Sequence, residues 1–287
     1  MSTRTTLVLG GTGKTGRRVV ERLRSRGVPA RVASRSGEPP FDWGDPATWQ
    51  AAVAGADAVY IAYYPDLAVQ GAADAIRSLT GLAVTNGVRR LVLLSGRGEP
   101  EAQRCEHIVR LSGVEWTLVR ASWFNQNFSE GYLLAPLLAG EVALPAGSIG
   151  EPFVDADDVA DVAVAALTED RHHTRLYELT GPRLWTFAEA VAEVARVTGR
   201  DIRYTELSSA AYVSMLRRAD VPPVFVGLLA YLFAEVLDGR NASVTDGVMQ
   251  ALGRPPRDFA DYVRDTARAG LWNVTHDARA GTIGYLA

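Results

Sequence analysis

A glycine-rich turn between a short apolar run and a helical segment restricts the fold of this chain more than any other feature. In LVLGGTGKTGRRVV, Gly10, Gly13 and Gly16 follow the spacing G-x-x-G-x-x-G, and Gly11, Gly13 and Gly16 also satisfy G-x-G-x-x-G. An early glycine permits a tight turn out of a strand, a middle one lets a ligand approach the backbone, and Gly16 lets the helix pack closely on a sheet. Because a helix N-terminus presents unpaired amides to negative charge, the turn predicts a strand–turn–helix unit that binds phosphate groups.

Apolar runs and helical segments alternate through the first half of the chain. The predicted strands are TLVLG, PARVAS, DAVYIA, RRLVLLS and EWTLVRA, and the predicted helices between them cover 14–26, 47–54, 67–86 and 101–112. Apolar strands separated by amphipathic helices are typical of a parallel sheet covered on both faces. We therefore predict an α/β protein with a doubly wound parallel sheet, a Rossmann fold.

The regular alternation of apolar strands and helices ends after Ala121. WFNQNF leads into a predicted helix that ends near residue 138, and EPFVDADDVADVAVAAL and LYELTG suggest a return to the sheet. A capping box of Thr186 and Glu189 predicts a helix that ends at Gly199, DIRYTEL predicts a short strand, and helices should follow from Ser208, Pro223 and Arg257.

These signals predict two parts of unequal character. We expect a sheet domain of residues 1–121 plus about 150–183, and a smaller, mostly helical substrate lobe of residues 122–149 plus about 184–287. In open α/β sheets ligands bind at the carboxyl ends of the strands, so the site is expected there, in the cleft between the two parts.

Composition excludes several classes of protein. Hydrophobic residues make up 47% of the chain and charged residues 22%, which argues against a largely disordered protein. The longest apolar run, 224–234, is far shorter than the ~20 residues of a membrane span, and the N-terminal residues do not form a secretion signal. A single cysteine, Cys105, favours a cytoplasmic protein, and a net charge of -3 argues against binding to nucleic acid. We expect a monomer or a homodimer.

The end of the second predicted strand indicates which dinucleotide the turn would bind. An acidic residue about 20 residues past the turn would bind the ribose hydroxyls of NAD, but the run 32–36 contains none. Arg35, together with the hydroxyls of Ser34 and Ser36, would suit a 2′-phosphate, and Lys14 would add a second positive charge. We therefore predict NADP(H), with a solvated turn arginine as the alternative for Arg35.

The same turn and several later motifs resemble the NmrA-like branch of the atypical short-chain dehydrogenase/reductase family. The resemblance continues through FDWGDPATWQAAVAGADAVYIA, RRLVLLSGRG, CEHIVRLSGVEWTLVRASWFNQNF, EPFVDADDVADVA and YELTGPRLWTFAEAVAEVARVTGR, over about residues 5–205. Within this branch the chain most resembles bacterial relatives of the ergot-alkaloid reductases, the agroclavine dehydrogenase-like group. The resemblance implies an NADP(H)-dependent oxidoreductase with a Rossmann domain and a substrate lobe.

The resemblance also implies particular cofactor contacts. It implies phosphate contacts at Gly10, Gly13, Thr15 and Gly16, a 2′-phosphate contact at Arg35, adenine contacts at Asp42 and Trp43, and ribose or nicotinamide contacts at Ala62 and Tyr63.

One departure from the wider family bears on the chemistry. Its ordinary members use a Tyr-x-x-x-Lys pair, in which the lysine lowers the pKa of a tyrosine that exchanges a proton with the substrate. Lys14 is the only lysine here and lies in the glycine turn, and the region of the pair reads GEPEA, residues 98–102. Ser95, where the family's serine lies, is retained and is a candidate to orient the nicotinamide or the substrate, with a helix cap or a turn as the alternative role. Ordinary ketone reduction is therefore disfavoured.

Two further sets of residues are candidates for the site. Tyr63 and Tyr64 follow DAVYIA at a strand end, where either hydroxyl would be able to protonate a substrate, although simple packing is the alternative. Flat rings and amides after EWTLVRA suit a planar ligand, with core packing as the alternative. These candidates for a substrate-pocket wall are Trp123, Phe124, Asn125, Asn127 and Phe128.

Three explanations of function remain open. In the first, the protein would reduce an electron-poor, planar and bulky small molecule. An iminium acceptor needs no proton at the reacting bond, whereas the anion formed from an enone or a quinone needs stabilisation. Secondary metabolism is the expected setting. Alternatively, it would bind NADP(H) without turnover as a redox sensor, or catalyse a redox-neutral isomerisation or cyclisation. No metal is predicted, because Asp155, Asp157 and Asp158 are better explained as the start of a helix.

Overall fold

The computed structural model describes residues 5–273, which divide into two compact units. Of the described residues, the sheet unit comprises 5–121, 156–179 and 246–255, and the lobe unit comprises 122–155, 180–245 and 256–273.

The elements alternate as predicted through β5 and then become mainly helical. The strands are β1 (Thr6–Leu9), β2 (Ala30–Ala33), β3 (Ala58–Ile61), β4 (Arg90–Gly96), β5 (Glu115–Ala121), β6 (Glu141–Leu144), β7 (Arg175–Leu179) and β8 (Arg203–Glu206). The helices are α1 (Lys14–Ser25), α2 (Trp49–Val53), α3 (Ala72–Thr85), α4 (Pro100–Arg110), α5 (Asn127–Glu130), α6 (Leu134–Ala139), α7 (Ala156–Thr168), α8 (Phe187–Thr198), α9 (Ser209–Arg218), α10 (Pro223–Tyr231), α11 (Gly247–Leu252) and α12 (Phe259–Arg268). A π-helical turn, Leu232–Val236, extends α10.

The sheet unit contains a six-stranded parallel sheet in the order β2-β1-β3-β4-β5-β7. The chain moves from β1 outward to β2 and then returns to β3 on the other side of β1, so the switch point of the topology lies between β1 and β3. Side chains such as Leu7, Leu9, Leu91 and Leu93 are fully buried in one core beneath the sheet. The predicted Rossmann fold is confirmed.

Helix α1 shows how local sequence positions the glycine turn. Val19, Val20 and Leu23 share one face of the helix and are at most 5% exposed. Gly27, with a φ of 71°, then ends the helix, and the amide of Val28 donates to the Leu23 carbonyl at 2.9 Å. Because this buried face fixes the helix on the sheet, its N-terminus is held at the carboxyl end of β1.

The lobe unit is built around aromatic side chains and helix caps. Phe128 contacts Phe153 and Phe259 with ring centroids 5.4 and 5.0 Å apart. The predicted capping box is present, since the Glu189 amide donates to the Thr186 hydroxyl at 3.1 Å and the Thr186 amide donates to the Glu189 carboxylate at 2.8 Å. The lobe also contains a parallel pair of strands, β6 and β8, of which the sequence indicated only β8.

Three segments differ from the predictions. Residues 67–71 are not helical, because Asp66 accepts from the Ala68 amide at 2.8 Å in a turn, and Gly71 with a φ of 89° precedes α3. The helix predicted after WFNQNF is two short helices, α5 and α6. The segment expected to return to the sheet does so through α7, the helix predicted to begin at residues 155–158, and only LYEL of the segment forms a strand, β7.

Residues 246–255 were predicted in the lobe but belong to the sheet unit. A Cβ on Gly247 would lie 2.2 Å from the Glu178 carbonyl oxygen, so α11 packs directly on β7. Arg254 also binds Asp158 and Asp161 on α7 at 2.7 and 2.6 Å. Within residues 5–273, no helix is both long enough and apolar enough to cross a membrane.

Candidate functional site

The glycine turn after β1 is packed backbone against backbone. A Cβ on Gly16 would lie 2.1 Å from the Gly10 carbonyl oxygen, and a Cβ on Gly11 would lie 2.9 Å from the Val8 carbonyl oxygen. Gly10 has a φ of 66° and lies against Ala62, whose carbonyl oxygen would be 3.1 Å from an added Cβ. Only glycine fits at these positions, so the turn leaves a bare-backbone surface at the switch point of the sheet.

The N-terminus of α1 is suited to hold phosphate. Its N-cap residue, Gly13, makes no side-chain cap, and the first turn contains no acidic residue. Lys14 and Thr15 are 9% and 4% exposed, and the Thr15 hydroxyl is hydrogen-bonded by the buried Tyr60 hydroxyl at 3.0 Å. Burial raises the pKa of Tyr60, so this donor stays neutral. The bare glycines, uncapped amides and adjacent lysine fit the pyrophosphate of a dinucleotide.

The loop after β2 presents the residues predicted to bind a 2′-phosphate. Arg35 and Ser36 are exposed, Ser34 is partly exposed, and the Ser34 and Ser36 hydroxyl oxygens are 3.5 Å apart. Within the described part of the chain, no carboxylate forms an ion pair with Arg35. Its guanidinium carbon instead lies 5.9 Å from the centroid of the Tyr64 ring. A cation with no acidic partner, beside two hydroxyls, fits a phosphate group.

Trp43 contacts Ala62 and Tyr63, the two residues that follow β3. Its indole nitrogen donates to the Ala62 carbonyl oxygen at 3.2 Å, and its ring centroid lies 4.7 Å from that of Tyr63. Asp42 accepts from the Gly44 amide at 2.9 Å, which shapes the loop that carries Trp43. The structure thus brings together three of the predicted cofactor contacts, while the role of each stays a prediction.

Tyr63 and Tyr64 contact residues in the segment that follows β2. The Tyr64 ring lies beside Arg35 after β2, whereas Ser95 lies on β4, on the other side of β3. Tyr63 packs on Trp43, and burial, with a smaller contribution from Cys105, raises the pKa of its hydroxyl. Proton donation by either tyrosine stays a prediction that these contacts do not favour.

Ser95 belongs to a buried network of charges at the carboxyl end of β4. Its hydroxyl donates to Glu106 on α4 at 2.7 Å, and the side chains are 4% and 3% exposed. Glu106 also accepts from Arg120 at 2.5 Å, and Glu178 accepts from Arg120 at 3.2 Å and from Arg97 at 2.6 Å. The Glu106 hydrogen bond is the largest of the influences that raise the pKa of Arg120. These hydrogen bonds orient the Ser95 side chain. The network was missed in the sequence, and the one signal for it is that Ser95 faces Arg120 once β4 and β5 are paired.

A second pair of acidic groups was also missed. Glu99, in the turn that leads into α4, is 7% exposed and hydrogen-bonded to Asp66, in the loop after β3. The Glu99 carboxylate lies against the backbone of Gly96, since a Cβ added there would be 2.2 Å from it. The spacing of these residues along the chain offered no signal, because parallel pairing of β3 with β4 is what brings the two loops together.

The candidate substrate residues of the lobe unit differ in exposure. Phe128 and Asn125 are fully buried, and the Asn125 side-chain amide donates to Asp155 at 3.1 Å. Both side chains therefore belong to the interior of the lobe unit. Trp123, Phe124 and Asn127 are partly exposed and remain candidates for a pocket wall. Trp123 packs at 5.3 Å on Phe187 and at 5.0 Å on Phe233.

The acidic residues at the start of α7 bind arginines. Asp157 binds Arg22 at 2.6 Å and Asp158 binds Arg254 at 2.7 Å. In the part of the chain that the structure describes, no group of three or more histidine, cysteine, aspartate or glutamate residues could hold a metal ion.

Comparison with known proteins agrees with this geometry. A family model for NAD(P)H-binding proteins matches residues 10–170. Agroclavine dehydrogenase from Claviceps fusiformis is 30% identical over 285 residues, which cover 93% of this chain and 99% of that protein. The (4-alkanoyl-5-oxo-2,5-dihydrofuran-3-yl)methyl phosphate reductase of Streptomyces griseus is 35% identical over 284 residues, which cover 92% and 98%.

A solved structure shares the fold. The NADPH-dependent quinone oxidoreductase of Escherichia coli, complexed with NADPH, matches with a TM-score of 0.76 at 24% identity, over 91% of this chain and 99% of that one. The family match and the relatives confirm the predicted oxidoreductase class and nicotinamide cofactor. The chain belongs to the NAD(P)H-binding reductases of the NmrA-like, atypical short-chain dehydrogenase/reductase type.

Proposed function

We propose that this protein is an NADPH-dependent reductase that transfers hydride to an electron-poor, planar and bulky organic molecule of secondary metabolism. The acceptor would be an iminium, an enone or a quinone. The observation that carries this proposal is a complete phosphate cradle at Gly10–Gly16 in a chain whose single lysine, Lys14, lies in that cradle. The protein therefore has the means to hold the cofactor but no lysine-activated tyrosine for ketone reduction.

The residues around the turn account for the choice of the phosphorylated cofactor. The amides at the start of α1 would bind the pyrophosphate, and Arg35 with Ser34 and Ser36 would bind the 2′-phosphate. When bound, NADPH supplies the hydride. Ser95, held by Glu106 at 2.7 Å, would orient the reacting groups at the end of β4.

The relatives support an acceptor that is already electron-poor. The name of the Streptomyces griseus relative describes a dihydrofuranone with an alkanoyl substituent, which is an alkene conjugated to carbonyl groups. The partly exposed Trp123 and Phe124 offer flat apolar surfaces of the kind on which planar molecules stack.

The proposal is tested in two steps with the purified protein. Titration with NADPH, NADP⁺ and NADH by calorimetry should show NADPH binding much more tightly than NADH. Oxidation of NADPH is then followed with a naphthoquinone, a cyclohexenone and an N-methyl dihydroisoquinolinium salt as acceptors. Turnover with at least one acceptor is expected. Tight NADPH binding with no turnover would overturn the reductase proposal in favour of a redox sensor, and failure to bind any of the three nucleotides would overturn the cofactor assignment.

A further inference from the structure

The carboxyl pair of Asp66 and Glu99 lies at the edge of the sheet where the cofactor turn also lies. Asp66 follows β3 and Glu99 follows β4, and the carboxyl ends of parallel neighbours meet at one edge. Gly10 contacts Ala62 at the end of β3, so the glycine turn shares this edge. The Glu99 carboxylate lies on Gly96, one residue beyond Ser95.

No cation of the described residues neutralises the charge of this pair. Within residues 5–273, neither carboxylate forms an ion pair with an arginine, a lysine or a histidine. The nearby arginines are already paired, since Arg97 binds Glu178 at 2.6 Å and Arg120 binds Glu106 at 2.5 Å. The other charged group facing Glu99 is Glu106 on α4, which is also acidic.

A proton shared by the two carboxyl groups would remove the repulsion between two buried negative charges. Only 7% of Glu99 is exposed, and its Oε2 atom accepts no hydrogen bond from any of the described residues. Two adjacent carboxylates out of water cannot both be ionised, so one of them keeps its proton and donates to the other. Burial, followed by the charges of Asp66 and Glu106, raises the pKa of Glu99 well above its usual range, and burial raises that of Asp66.

We propose that Asp66 and Glu99 share one proton and donate it to the anion that forms when this reductase reduces a neutral acceptor. The inference rests on the proposed function. It assigns the proton to carboxyl groups in the loops after β3 and β4 and not to the hydroxyl of Tyr64, whose ring lies beside Arg35. Asp66 is partly exposed, so the pair is able to exchange its proton with water between turnovers.

The step balances for a quinone or an enone. The acceptor gains two electrons and one hydrogen nucleus as hydride and becomes an oxyanion or enolate. An O–H bond of the carboxyl pair breaks and its proton passes to that anion, directly or through one water, which leaves the pair with one more negative charge. A proton from solvent then restores it. An iminium accepts hydride and becomes a neutral amine, so it draws no proton from the pair.

Infrared spectroscopy tests the shared proton without turnover. The wild-type protein at neutral pH should show the carbonyl stretch of a protonated, buried carboxyl group that disappears as the pH is raised. Glu99→Gln should remove this band, because the glutamine amide donates to an ionised Asp66. Glu101→Gln is the matched control, since Glu101 lies in the first turn of α4, two residues after Glu99, and pairs with Arg104 at 2.9 Å, and it should retain the band.

Kinetics test the donation. Glu99→Gln should lower kcat for a naphthoquinone about 100-fold, in line with the usual contribution of a general acid, and leave the Kd of NADPH unchanged. The rate with an N-methyl dihydroisoquinolinium salt should stay at the wild-type level. Asp66→Asn should reproduce this split, and Glu101→Gln should leave both rates unchanged.

The outcomes separate the two proposals. A wild-type spectrum without the carboxyl band, or a Glu99→Gln variant that reduces the quinone at the wild-type rate, overturns the proton-donor proposal and leaves the proposed reductase intact. A wild-type protein that binds NADPH but reduces neither acceptor overturns the proposed function and the donor role together.

Discussion

The two sides of the candidate site are built on different principles. Around β1 and β2, the surface is bare backbone and one unpaired arginine, with Gly16 packed so closely on Gly10 that a Cβ would be 2.1 Å from its carbonyl oxygen. At the end of β4, the groups are buried side chains that hold one another, such as Ser95 with Glu106 at 2.7 Å. The first side would bind a phosphate group through the shape and the amide dipoles of one short segment. The second side consists of side chains from separate segments, among them Asp66 and Glu99, whose pKa burial raises, so we expect its chemistry to respond to pH and to distant substitutions.

The largest effect is expected on the backbone side, from Gly16→Ala. Because the added methyl group collides with backbone rather than with a flexible side chain, the free energy of unfolding should fall by about 4 kcal/mol or more, with loss of NADPH binding. Chemical denaturation and calorimetry measure the two effects. Gly81→Ala is the control, since a Cβ there in α3 meets nothing within 4 Å, and it should be neutral or slightly stabilising. Normal NADPH binding by Gly16→Ala would contradict the close-packed turn.

On the β4 side, Glu106→Ala should cost about 3 kcal/mol of unfolding free energy, because it leaves Arg120 and the Ser95 hydroxyl without their buried acceptor. Urea denaturation measures the loss. Replacement of Glu101, whose side chain is 21% exposed, by glutamine should change stability by less than about 0.5 kcal/mol. Equal effects of the two substitutions would show that the network does not stabilise this edge.

Arg35→Glu should weaken NADPH binding by about 2 kcal/mol, the usual value of a charge-assisted hydrogen bond, with little change for NADH. Calorimetric titration of both nucleotides measures the difference. Arg26→Glu makes the same change of charge on an exposed residue after α1 and controls for long-range electrostatics. An equal loss of affinity for both nucleotides would remove Arg35 from the 2′-phosphate site.

The smallest effect concerns the pH dependence of stability in Glu99→Gln. The folded pKa of Glu99 lies above its unfolded value, so its contribution is fully present below the unfolded pKa and is lost as pH rises through the folded pKa. The variant should therefore lose less stability than wild type on moving to alkaline pH, by on the order of 1 kcal/mol. Urea denaturation across a pH series measures this, and parallel curves would contradict the raised pKa.

Prediction from the sequence succeeded where signals were short-range. The glycine turn, the strands of the sheet and the capping box of Thr186 and Glu189 all act over a few residues, and each is present. Errors occurred where contacts between distant segments decided the outcome. Residues 246–255 joined the sheet unit because Gly247 lies against the Glu178 backbone, and Phe128, expected in a pocket wall, is buried among the aromatic rings of the lobe unit.

By itself the sequence determined the Rossmann sheet, the dinucleotide turn and the lack of a lysine-activated tyrosine, because these follow from periodicity, local spacing and composition. Only the tertiary structure decided that Ser95 donates to Glu106 and that Asp66 meets Glu99. Parallel strand pairing and helix packing bring these groups together from separate segments, and the burial that raises the pKa of Asp66 and of Glu99 exists only in the folded chain.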